Sequence, residues 1–106
     1  MSFSVTNNEI KLTRGDTAYF VIVPYADGEV YTLKEGDVVT FTVKKNTGSE
    51  NYVIQKTGLE IEIKPEETSN LTYGTYKYDV QMTFSDGRVD TFIGPSDFVL
   101  TEEVTF

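Results

Sequence analysis

Seventeen Asp and Glu side chains, nine Lys and Arg, and no histidine or cysteine define the chemistry open to this 106-residue chain. Without histidine there is no Ser-His-Asp triad, no His-rich zinc site and no two-His-one-carboxylate iron centre. Without cysteine there is no thiolate ligand, no thiol nucleophile and no disulfide. Two carboxylates suffice for glycoside hydrolysis, but that reaction needs a deep cleft around a sugar ring, which one small domain hardly supplies. The expectation is a non-enzyme, with no catalytic, cofactor-binding or metal-ligating residue assigned.

The acids Asp86, Asp90 and Asp97 would offer calcium some of the six to eight oxygens it takes, yet their spacing matches no calcium loop. They read instead as a turn residue, a solvated residue and a strand start. Arg14-Gly15-Asp16 spells the integrin-recognised tripeptide, but its glycine and aspartate are more simply a turn or bulge between two strands. Asn70-Leu71-Thr72 fits the glycosylation acceptor pattern, which carries meaning only behind a secretory signal, and none is visible. A net charge of −8 repels phosphate backbones and anionic lipid, so neither nucleic acid nor a membrane is expected as partner. Seven tyrosines and seven phenylalanines suit stacking, although most fall on core-facing positions; Tyr19, Tyr25, Tyr31, Tyr52 and Tyr73 do not.

The elements that must position these residues are strands. The apolar fraction is dominated by Val, Ile, Phe and Tyr, and it alternates with period two between turn signals. Eight strands are expected, over residues 9–13, 17–25, 38–44, 51–55, 59–63, 75–84, 88–93 and 98–104. Residues 1–8 form a flexible N-terminal segment and 9–106 one domain. Asp27-Gly28 and Asp86-Gly87 mark tight hairpins; Glu35-Gly36-Asp37, residues 46–51 and Thr57-Gly58 mark further reversals. Lys64-Pro65-Glu66-Glu67-Thr68 predicts one short helical turn crossing between sheets. The fold class expected is all-β, an antiparallel immunoglobulin-like β-sandwich of seven to eight strands.

Alternation also assigns faces. Leu59, Ile61 and Ile63 point inward, as do Val39, Phe41, Val43, Tyr76, Tyr78, Val80, Met82 and Phe84. The stretch 18–25 is apolar on both faces, with Ala18, Phe20 and Ile22 on one and Tyr19, Val21, Val23 and Tyr25 on the other. A two-layer fold buries one face of each sheet, so the second set is covered by a loop, covered by a terminal segment, or left for a partner.

Residues 70–78, with Gly74 followed by Tyr76, resemble the corner of immunoglobulin domains, where a tyrosine hydroxyl bonds back to an upstream backbone group. Tyr76 takes that role in the resemblance, and Tyr78 stands where the domain's cysteine would be. Over nearly the whole chain, Arg14-Gly15-Asp16-Thr17, Val39-Thr40-Phe41-Thr42-Val43-Lys44-Lys45, Ile61-Glu62-Ile63-Lys64-Pro65-Glu66-Glu67-Thr68, then Leu71, Gly74, Tyr76, Tyr78, Asp79 and Glu103-Val104-Thr105 follow in order. This resembles the immunoglobulin-like domain of phage and prophage tail and baseplate proteins of Gram-positive hosts. The resemblance implies a virion structural module, made in the bacterial cytoplasm without a signal peptide and packed in several copies against other tail proteins. It also makes Tyr19, Val21, Val23 and Tyr25 the outward patch and interface candidate. The rival expectation is a bacterial surface or secreted immunoglobulin-like module that binds carbohydrate or a host protein.

Overall fold

The period-two pattern becomes ten strands and one helical turn in the computed structural model, which describes residues 3–6, 8–26 and 28–102. In chain order they are β1 (Phe3–Thr6), β2 (Glu9–Thr13), β3 (Ala18–Val21), β4 (Tyr25–Ala26), β5 (Glu29–Val30), β6 (Val38–Lys44), β7 (Tyr52–Thr57), β8 (Glu60–Ile63), α1 (Pro65–Thr68), β9 (Gly74–Thr83) and β10 (Val89–Thr101). Six of them form a sheet in the order β1-β2-β10-β9-β6-β7, while β3 pairs with β8 and β4 with β5 as two-stranded ribbons. The class is all-β.

Four expectations are corrected. The sheet is mixed, not wholly antiparallel, because β2 and β10 run parallel, Phe98 opposite Ile10 and Leu100 opposite Leu12. Parallel neighbours need a long connection, and here everything from β3 to β9 supplies it. Secondly, the strands expected at 88–93 and 98–104 are one up to Thr101, residues 103 and 104 lying outside the described residues, since Gly94-Pro95 bulges β10 rather than ending it; the register against β9 shifts between Thr91 and Ile93 and again before Ser96. A proline that cannot donate to the ladder is tolerated at such a bulge. Thirdly, the strand expected over 17–25 divides at Val21, with Pro24 standing between β3 and the β4–β5 hairpin.

Thr57-Gly58 is also not a reversal between paired neighbours. Gly58 donates its N–H to Val39 of β6 at 2.9 Å, while the next residue, Leu59, accepts from Ile22 beyond β3 at 2.7 Å. The chain therefore leaves the six-stranded sheet and joins the ribbon within one peptide, helped by a φ of 104° at Gly58 that only glycine adopts freely. At the N-terminus, the segment read as flexible contributes β1, which pairs antiparallel with β2 after a turn in which Asn8 has a φ of 69°. Asparagine tolerates that left-handed conformation. The α1 turn forms where predicted, between ribbon and sheet, with Pro65 in its first turn and the Glu67 carboxylate accepting from the Lys64 N–H at 2.8 Å.

The buried cluster lies between the six-stranded sheet and the β3–β8 ribbon. Ile10, Leu12, Val39, Val43, Val80 and Leu100 from the sheet meet Ala18, Ile61 and Ile63 from the ribbon. Phe41 joins the two: its ring is 5.4 Å from Phe20 edge to face, 5.3 Å from Tyr78 and 6.5 Å from Phe98. Such pairs are worth ~0.5–1.5 kcal/mol beyond the area they bury.

Gly36 has a φ of 90°, and a Cβ there would lie 2.7 Å from the Ser85 Cβ. Gly36→Ala is expected to lower the unfolding free energy by ~1–3 kcal/mol in urea titration. Gly28→Ala, with φ 80° and no atom within 4 Å of the added Cβ, should cost less. Glu67 gives a pH dependence. Burial raises its carboxyl, but the Lys56 ammonium and the Lys64 N–H outweigh that and hold it below its ordinary value of 4.5. A depressed carboxyl stabilises the fold above pH 4.5, and the contribution is lost as pH falls through the folded value. Acid titration of Glu67→Gln should therefore show lower stability than the parent at neutral pH and a shallower loss below pH 4.5.

Candidate interaction face

A two-stranded ribbon has two faces, and the larger sheet covers only one. In β3–β8 the register sets Ala18 opposite Ile63, Tyr19 opposite Glu62, Phe20 opposite Ile61 and Val21 opposite Glu60. Side chains directly opposite share a face. Ala18, Ile61 and Ile63 are thus buried against the sheet, and Tyr19, Val21, Glu60 and Glu62 turn away from it. The outward row continues along the chain through Val23 to Tyr25, which pairs with Val30 across the β4–β5 hairpin. Tyr19, Val21, Val23, Tyr25 and Val30 are 54%, 53%, 49%, 64% and 59% exposed. All four outward residues expected from the sequence lie in this row, and no described segment buries them.

Two neighbours of the row went unrecognised in the sequence. Val30 follows from the two-residue Asp27-Gly28 loop, which puts residue 30 opposite residue 25; Asp27 itself lies outside the described residues. The other is Glu60, whose carboxylate accepts from the Tyr19 hydroxyl at 2.7 Å. That bond holds the tyrosine hydroxyl above its ordinary value, with burial and the charges of Glu60 and Glu62 adding to the shift. Glu60 has no cationic partner among the described residues, nor does Glu62.

Tyr76 lies in the core, and its hydroxyl donates to the Thr72 carbonyl, four residues upstream, at 2.9 Å. The Arg14-Gly15-Asp16 tripeptide packs against this same segment. Arg14 donates to the Leu71 carbonyl at 3.0 Å and the Tyr73 hydroxyl at 2.9 Å, its guanidinium lying 4.2 Å from the Tyr73 ring centroid. Gly15 donates its N–H to the buried Thr68 hydroxyl at 2.9 Å. The tripeptide staples the β2–β3 turn to α1 and the loop after it. Of the three aspartates, Asp86 accepts from the Arg88 backbone and guanidinium at 3.0 and 2.9 Å, Asp97 pairs with Lys77, and Asp90 is exposed.

Two hollows accompany these features. One of about 240 Å³ is lined by Phe20, Ile22, Phe41 and Val80 together with Val21 and Val23, so those two valines border this hollow as well as the outward row; Tyr78, which also lines it, donates its hydroxyl to the Asn8 carbonyl. The other, about 110 Å³, lies on the outer side of the large sheet between Lys44, Lys77, Asp79 and Pro95. Burial raises the Asp79 carboxyl, against the pull of Lys44.

No family model matches the chain, and neither the curated proteins nor the solved structures compared with it contain a match.

If the outward row carries no fold stability, Tyr19→Ser combined with Val21→Thr should change the unfolding free energy by less than ~1 kcal/mol. Phe41→Ala should cost ~3–5 kcal/mol. Denaturant titration of the three proteins checks both; a double variant that destabilises like the core variant would make the row part of the core.

Proposed function

We propose that this chain is a non-enzymatic interaction module with an immunoglobulin-like sandwich, which docks onto neighbouring proteins through the outward row Tyr19, Val21, Val23 and Tyr25. The observation that carries the proposal is the exposure of Tyr19 and Val21 on a ribbon whose other face is buried, followed along the chain by exposed Val23 and Tyr25. Single exposed apolar residues are ordinary, but several exposed close together along the chain suit an interaction site.

The immunoglobulin-like arrangement is supported by the strand order. In that fold one sheet runs G-F-C, extended past C in variable-type domains, and strands B and E pair in the other. Here β10-β9-β6-β7 matches the first series and β3–β8 the second. The Tyr76 bond at the start of β9 adds to it. The resemblance of the ordered motifs from Arg14 to Thr105 supplies the setting: a phage or prophage tail or baseplate assembly, with the module among other tail proteins.

Mass spectrometry of particles released by the bacterium encoding the chain tests the setting. The module should be present in amounts stoichiometric with the tail proteins. Its recovery from the cell envelope and not from particles would replace the virion role with that of a surface module for carbohydrate or a host protein.

A further inference from the structure

Resting on that docking reading, we infer that the partner is a different protein presenting an apolar surface flanked by lysine or arginine, and not a second copy of this chain. Charge on the face itself argues for this. Val21 and Tyr19 stand directly across from Glu60 and Glu62, so the apolar row and the two exposed carboxylates form one surface. Tyr19 fixes one of those carboxylates through its hydroxyl bond to Glu60. Neither acid has a cation beside it among the described residues, whereas Glu67, Asp86 and Asp97 are paired with Lys56, Arg88 and Lys77 elsewhere. Lys64, the next outward position after Glu62, lies beyond the end of β8, at the cap of α1.

A two-fold contact through this row would set two acid-bearing faces against each other, each on a chain of net charge −8. Like charges brought together at an interface oppose association, while a basic rim steers encounter and fixes register. A cation reaching Glu60 or Glu62 at the border of an apolar contact is partly desolvated, where charge pairs count for more than on open surface.

Two measurements test this. Sedimentation velocity of the purified chain at low and high salt should give a monomer in both; a dimer that Glu60→Gln with Glu62→Gln tightens would overturn the inference in favour of a second copy. The tagged full chain, recovered from cells that encode it, is then compared as parent, Glu60→Gln/Glu62→Gln, and Tyr19→Ser/Val21→Thr. One co-purifying protein should be retained about tenfold less by the glutamine variant and lose most of its salt dependence. Carbodiimide should join Glu60 or Glu62 to a lysine of that protein. Loss with the Tyr19/Val21 variant alone would overturn the basic partner and leave the docking face standing. Retention by both variants would sink the face itself.

Discussion

Phe41 is the contact on which the two layers depend. It sits in the middle of β6, between β9 and the edge strand β7, and meets Phe20 of the ribbon as well as Tyr78 and Phe98 of its own sheet. A ribbon of two short strands cannot hold itself together in water, so it needs an apolar face against something larger. Phe41 and the aliphatic side chains around it provide that support, and without cysteine no covalent tie shares the load.

The exposed row follows from the same constraint. Because the ribbon docks through Ala18, Phe20, Ile61 and Ile63, the alternate positions of β3 and β8 are forced outward together. On β8 those positions are glutamates, the usual composition of a solvated face. On β3 they are Tyr19 and Val21, and the row runs on to Tyr25 beside Val30. One surface thus combines the solvated acids of β8 with the exposed apolar side chains of β3.

At the opposite end of β3 the turn is made rigid by polar contacts. Arg14 and Gly15 reach α1 and the loop before β9, and Tyr76 closes the same corner through Thr72. A tripeptide that reads as adhesive in isolation is thus occupied in holding the connection between ribbon and sheet. Thr68, the one buried polar residue among those described, is satisfied by accepting from Gly15.

Residue chemistry alone determined which side of each strand faces the core, because a period of two is a property of the extended backbone and needs no knowledge of the neighbour. Val39, Phe41 and Val43, or Ile61 and Ile63, could be placed inward on that basis, whereas alternation only sorted 18–25 into two apolar sets, and burial of Ala18 and Ile22 leaves Tyr19, Val21, Val23 and Tyr25 exposed. The hairpin at Asp86-Gly87 and the helical turn at Pro65 were legible because their signals are local. What only the tertiary structure decided was partnership: that β2 runs parallel to β10, that the chain changes sheets between Gly58 and Leu59, that Gly94-Pro95 bulges a strand without ending it, and that no described segment covers the outward row. Each of these depends on backbone groups meeting others far away in sequence, where many pairings satisfy the same alternation and only packing in three dimensions selects among them.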